Sequence, residues 1–168
     1  LYKRIERIFM ILKVGDNAPE FTLQDQNGDS HTLSDYKGQW VLVYFYPRDN
    51  TPGCTIEACG IRDHYPEFEK LDVKVFGIST DTVKKHANFV KKYDLPFTLL
   101  ADVDQEVVEL FGVWGLKKFM GLKFMGTHRM SFLIDAKGKV AKVYEKVKVK
   151  VHAEEVMADV KAMDNENL

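Results

Sequence analysis

Residues 41–46 read Val-Leu-Val-Tyr-Phe-Tyr, an apolar and aromatic run with no polar alternation. A strand with one face in water alternates. One that does not is buried on both faces, and that requires a sheet covered on both sides. Val73 to Thr80 reads as a second strand of this kind. Between them the pattern turns helical from Cys54 to about Leu71, with Pro66 expected to kink or interrupt it. Asp81 to Tyr93 reads as an amphipathic helix with Ala87, Val90 and Tyr93 inward. Phe97 to Ala101 is a short strand, and a helix follows near Gln105 to Phe111. Met130 to Ile134 and Val140 to Tyr144 flank a Gly-containing turn at 135–138, and Ala153 to Met163 closes the chain as a helix. Ahead of all this, Phe21 to Leu23 and His31 to Leu33 form a hairpin candidate around Asn27-Gly28. The sum is an α/β fold, a central mixed sheet with helices on both faces. Gly112 to Gly126 reads as a loop with an internal echo, Lys118-Phe119-Met120-Gly121 against Lys123-Phe124-Met125-Gly126. Lys146 to Val151 alternates with period two and reads as a strand.

The chain has 168 residues, which fits one domain with a real core. The 24 basic residues against 25 acidic ones give a net charge of −1, which points to neither nucleic acid nor an anionic membrane as a partner. Charge interrupts every apolar run well before the ~18 residues a membrane-crossing helix needs. Residues 1–12 have dispersed charge and no apolar core of a secretory signal, and Met10 stands just before the first strand-like text. They are expected to be an extension ahead of a single domain, 13–168, working in the cytoplasm.

Only two cysteines occur, Cys54 and Cys59. In a chain without a disulfide framework, such a pair points to redox chemistry or to part of a metal site. The five histidines show no ligand spacing with them, which disfavours zinc. The text Pro47-Arg48-Asp49-Asn50-Thr51-Pro52-Gly53-Cys54 lies between a buried strand and a helix. Thr51 suits an N-cap and Pro52 the first helical position. Cys54 then falls in the first turn, where unpaired N–H groups and the helix dipole favour a thiolate nucleophile. The plain alternative is a small buried hydrophobe, but it leaves the Thr-Pro-Gly arrangement unexplained.

Pro47-x-x-x-Thr51-x-x-Cys54 matches the active-site motif of peroxiredoxins. The longer text from Tyr44 through Thr55, with Glu57, Ala58 and Cys59, resembles the bacterioferritin comigratory protein (peroxiredoxin Q) subfamily. The likeness runs from about Val14 to Met163 and includes Leu95-Pro96-Phe97 and Ser131 to Asp135. It implies a thioredoxin-like fold and peroxide reduction without a cofactor or metal. Cys54 would attack the O–O bond and become a sulfenic acid. Thr51 would hydrogen-bond the peroxide, Pro47 would shield the pocket, and Arg129 would be the active-site arginine. Cys59 would resolve the sulfenic acid as an intramolecular disulfide, which thioredoxin or a similar dithiol protein would reduce. The subfamily includes monomers and weak homodimers. Several readings stay open. Thr51 as a helix cap only and Cys59 as core packing are alternatives, as is Glu57 as a solvated or dipole-facing residue rather than one that tunes the site. Trp114, Phe119 and Phe124 either wall the entrance or pack a loop. A protein-disulfide oxidoreductase, a peroxide sensor and a metal-binding module are the rival functions. The first usually carries two cysteines two residues apart, whereas four residues separate these.

Overall fold

The computed structural model describes residues 12–166. All but Leu12 of the expected N-terminal extension lies outside them. The uninterrupted apolar run becomes β3 (Trp40–Phe45), an inner strand of a seven-stranded sheet. The sheet order is β2-β1-β5-β4-β3-β8-β9, where β1 is Thr22–Asp25, β2 Ser30–Thr32, β4 Val73–Ser79, β5 Thr98–Ala101, β8 Met130–Ile134 and β9 Val140–Tyr144. β3 runs parallel to β4 and β4 parallel to β5, and the remaining pairs are antiparallel. The expected mixed sheet is therefore what the chain forms.

Alternation along β3 sends Val41, Val43 and Phe45 into one core layer and Leu42 and Tyr44 into the other. That is why the run can be apolar throughout. Leu42 and Tyr44 pack under α1 (Pro52–Asp63), α2 (Tyr65–Lys70), α3 (Val83–Tyr93) and α5 (His152–Glu166). The opposite layer, which includes Phe132 of β8, is covered by α4 (Glu106–Leu110) and by Phe111 and Phe21. Phe45 meets Phe111 and Phe132 there at ring-centroid distances of 5.1 and 5.9 Å. Burying one such side chain contributes roughly 1.5–3 kcal/mol.

The helical stretch expected up to Leu71 starts at Pro52, the expected first helical position, and is interrupted at His64 as Pro66 implied, with Pro66 in the first turn of α2. Other expectations need correction. Leu33 does not end β2 but opens a 3-10 turn, Leu33–Tyr36. The buried face of α3 is set by His86 and Phe89, with Val90 and Tyr93 packing partly and Ala87 only half-buried. A polar residue on the core face misled the periodicity. Lys146–Val151 is not a strand. β9 ends at Tyr144, and the segment turns over to start α5, held by Val151 N–H donating to Lys148 O at 3.1 Å. Its alternation reflects Val147 packing on the core, not a sheet face. Finally, Gly112–Gly126 is no loop. It forms a two-stranded ribbon, β6 (Trp114–Phe119) with β7 (Leu122–Thr127), separate from the main sheet. Apolar residues on both of its faces erased the alternation by which a strand is recognised. Among the described residues, no helix is long and apolar enough to cross a membrane.

Candidate active site

The chain leaves β3 through Tyr46 and half-buried Pro47, crosses 48–51, and enters α1 with Pro52 in its first turn. Thr51 holds the extended backbone of an N-cap (φ −98, ψ 157), yet its side chain makes no capping bond. Its hydroxyl instead donates to Arg48 O at 2.9 Å, leaving the oxygen lone pairs available. Cys54 sits in the first turn with its side chain turned into the core, 2% exposed. One turn later, on the same face, Glu57 is 1% exposed.

Arg129, on the short connection between β7 and β8, reaches both. Its Nη2 lies 3.1 Å from Cys54 Sγ and its Nη1 donates to Glu57 Oε1 at 2.8 Å. The guanidinium lies so close to the helix that a Cβ on Gly53 would stand 3.2 Å from Nη2, so glycine there gives the arginine room. The structure thus brings together Cys54, Arg129 and Glu57, with Thr51 at the mouth of the same turn. Cys59 is half-buried on α1, five residues beyond Cys54, and both thiols are free. One continuous helix carries the two cysteines, so the rotation between them places them on different sides of it.

The AhpC/TSA family model matches residues 14–143. The chain is 53% identical over 146 residues to Peroxiredoxin Bcp of Escherichia coli, covering 87% of this chain and 94% of that protein. The chain belongs to the AhpC/TSA family of peroxiredoxins. It is also 45% identical over 154 residues to Peroxiredoxin Bcp of Bacillus subtilis, covering 92% and 98%. A solved structure of the Xanthomonas campestris bacterioferritin comigratory protein, described for its alkyl peroxide reduction activity, superposes with a TM-score of 0.83 at 36% identity, covering 91% and 98%. The expected thioredoxin-like fold and the subfamily resemblance both hold. As a member of this family the protein is a thiol peroxidase, with a hydroperoxide as substrate and a thiol as reductant.

Sequence reasoning missed what fixes the loop of this peroxiredoxin. Asp49 N–H donates to Asp81 Oδ2 at 2.8 Å, and Ser79 Oγ donates to the same oxygen at 2.6 Å. The Asp49 carboxylate accepts from Tyr46 OH at 2.5 Å and meets His86 Nδ1 at 2.6 Å. His86 Nε2 faces Leu100 O at 2.9 Å; a carbonyl only accepts, so that nitrogen carries a proton. Asn50, at φ 61, takes bonds from Lys92 Nζ and Tyr93 OH at 3.1 and 3.2 Å. Asp49, Asp81 and His86 offer ligand atoms within 4.8 Å of one another. Each is already engaged by protein partners, so the trio reads as a buried clamp that binds the loop to β4, α3 and β5. The only available signal was polar residues at buried strand and helix positions, which periodicity treats as surface.

Glu57 decides the electrostatics. Burial pushes its carboxyl up from 4.5 to about 7 although the Arg129 guanidinium, by charge and hydrogen bond, pulls it down. Its Oε2 is buried without a partner, which is why burial wins. Burial also works against the charge of Arg129, but Glu57 and Cys54 outweigh it and hold the guanidinium above its ordinary value. The open alternative for Glu57, a solvated helix residue, is therefore corrected. A carboxyl whose folded pKa exceeds its unfolded one binds its proton more tightly when folded. Stability is then lost as pH rises from about 4.5 to about 7, on the order of 3 kcal/mol in all. We expect Glu57→Gln to remove that slope. Urea denaturation at steps across this range would read it, and parallel wild-type and variant profiles would refute it.

Proposed function

We propose that this peroxidase works through a Cys54 sulfenic acid and a Cys54–Cys59 disulfide that thioredoxin, or a dithiol protein like it, reduces. The catalytic unit is the single domain 13–168. The observation that carries this reading is the 3.1 Å contact of Arg129 Nη2 with Cys54 Sγ at the first turn of α1. A fixed cation aimed at sulfur stabilises the thiolate and then the charge that moves onto oxygen.

The Cys54 thiolate attacks the near oxygen of ROOH, the O–O bond breaks, and RO⁻ leaves and is protonated to ROH. Cys54 is left as Cys–SOH, oxidised by two electrons. Arg129 donates to the oxygens in flight. Thr51, its proton engaged by Arg48 O, offers lone pairs to the peroxide O–H. Glu57 anchors Arg129 and is a positioning residue. Pro47, which has no N–H to bind water, shields the mouth of the site. The Cys59 thiolate then attacks the sulfenic sulfur and expels hydroxide, which leaves as water, and the disulfide forms. Thiol–disulfide exchange with the reductant restores both thiols.

The test is steady-state reduction of hydrogen peroxide and an alkyl hydroperoxide, coupled to thioredoxin and its reductase, for wild type, Cys59→Ser and Arg129→Lys. Thioredoxin-linked turnover should collapse in Cys59→Ser, while its first peroxide equivalent is still consumed. Arg129→Lys keeps the charge but loses the planar fork. Its second-order rate should fall at least about tenfold, about 1.4 kcal/mol of transition-state stabilisation. Unimpaired thioredoxin-linked cycling in Cys59→Ser would remove the resolving role, and an unchanged rate in Arg129→Lys would remove the arginine from the site.

A further inference from the structure

The β6–β7 ribbon breaks two local rules, and nothing within the described chain compensates for either. Its two-residue turn is Met120-Gly121, with φ 49 and 80. Such a turn calls for Asn, Asp or Gly at both positions, because a side chain with φ above zero crowds its own backbone. Here the first position holds a methionine that is 87% exposed. The second break is a charge pairing. Lys118 stands directly opposite Lys123, a like-charge cross-strand pair that weakens the ribbon. Around both, Phe119 is 67% and Leu122 71% exposed, with Leu116, Phe124 and Met125 about half exposed.

The charge around the ribbon is one-sided. Between Glu109 and Asp135 the chain carries Lys117, Lys118 and Lys123, together with Arg129, which is paired with Glu57, and no acidic residue, although the whole chain has net charge −1. Even net charge thus conceals a segment whose chemistry is opposite to what the total suggests. An apolar apex flanked by lysines suits an interface that is apolar within and anionic at its rim. At such an interface Phe119, Met120 and Leu122 would enter the acyl region while the lysines stayed among the headgroups. A second copy of this ribbon would set lysine against lysine, so charge argues against self-association there.

From these features we infer that the β6–β7 ribbon is a docking element for the surface of an anionic phospholipid bilayer. It holds the peroxidase at a membrane, with Arg129 and Cys54 immediately beyond the base of β7. Such a surface would offset both local violations, burying the exposed methionine and neutralising the lysine pair. This inference rests on the ribbon and is independent of the reaction scheme.

Sedimentation of the full chain with vesicles tests it, using phosphatidylcholine alone and about 3:1 phosphatidylcholine to phosphatidylglycerol. Wild type should bind the anionic vesicles at low salt, release in about 0.5 M NaCl, and leave neutral vesicles unbound. Two variants relieve the local violations while removing the docking chemistry. Met120→Asn puts a residue suited to positive φ at the turn, and Lys118→Glu turns the like-charge pair into an opposite-charge one. Both should keep or raise hydrogen-exchange protection of 114–127 and keep hydrogen peroxide turnover in solution. Vesicle binding should nevertheless fall at least about tenfold in Lys118→Glu and about fivefold in Met120→Asn. The inference is overturned by wild type that ignores anionic vesicles or binds neutral ones equally well, or by variants that bind undiminished. A concentration-dependent dimer in light scattering that Met120→Asn abolishes would also overturn it, assigning the ribbon to a second copy.

Discussion

Cys54→Ser should lower hydroperoxide turnover by at least about 10⁴-fold, to the background of the reductant alone. The reason is chemical. An alcohol at neutral pH supplies no appreciable anion, and Arg129, which can stabilise a thiolate 3.1 Å away, cannot deprotonate a serine by itself. The replacement also conserves shape, so the first turn of α1 should keep its fold and the loss should read as chemistry. Stopped-flow consumption of hydrogen peroxide, with circular dichroism as the folding control, measures it. Appreciable turnover by a folded Cys54→Ser protein would end the nucleophile assignment.

Disulfide formation should be accompanied by loss of at least about a hundredfold in hydrogen-exchange protection across residues 53–60. Two residues five apart on an α-helix are turned by about 140° and separated by about 7.5 Å of rise, which puts their Cα atoms roughly 8.7 Å apart. A disulfide requires about 6.8 Å or less, and beyond about 7 Å the backbone must move. α1 runs unbroken through Pro52–Asp63, so the helix that would present Cys54 to peroxide also keeps it from Cys59. The first turn must open before the bond can close. Opening should also expose Glu57 and withdraw Cys54 from Arg129, so the disulfide form should lose the Arg129–Cys54 contact. A turn that stays closed leaves the sulfenic acid open to a second peroxide. Cys59→Ser should therefore accumulate sulfinic acid faster than wild type under excess peroxide, as mass spectrometry would show. Equal protection in the reduced and disulfide forms, with the bond confirmed, would refute the opening step.

Legibility along the chain followed how local each signal was. The double-sided burial of 41–46 was readable because apolarity in consecutive residues has one meaning in a sheet. The bounds of β8 and β9 were readable because a Gly turn separates two apolar runs. Pro52 and Cys54 at the start of α1 were readable because caps and first turns are written within a few residues. Thr51 shows the limit of such signals. Its position at the N-cap was correct, but its hydroxyl turns to Arg48 O, a choice set by how the loop 48–51 folds back.

The sequence by itself determined the strand–helix junction, the thiol at its first turn, and, through a motif, the family. Those features rest on neighbours in the chain, where propensity and spacing act directly. The resemblance named Arg129, but only the tertiary structure decided what it touches and which other distant groups complete the site. Arg129 is 75 residues from Cys54, and the antiparallel pairing of β8 with β3 delivers it to the thiol. Glu57 reads as an ordinary helix carboxylate until that arginine arrives and the core closes over it. Asp49, Asp81 and His86 reveal a clamp only when three elements meet. Burial and long-range pairing depend on the whole chain's packing, and no local window of residues encodes them.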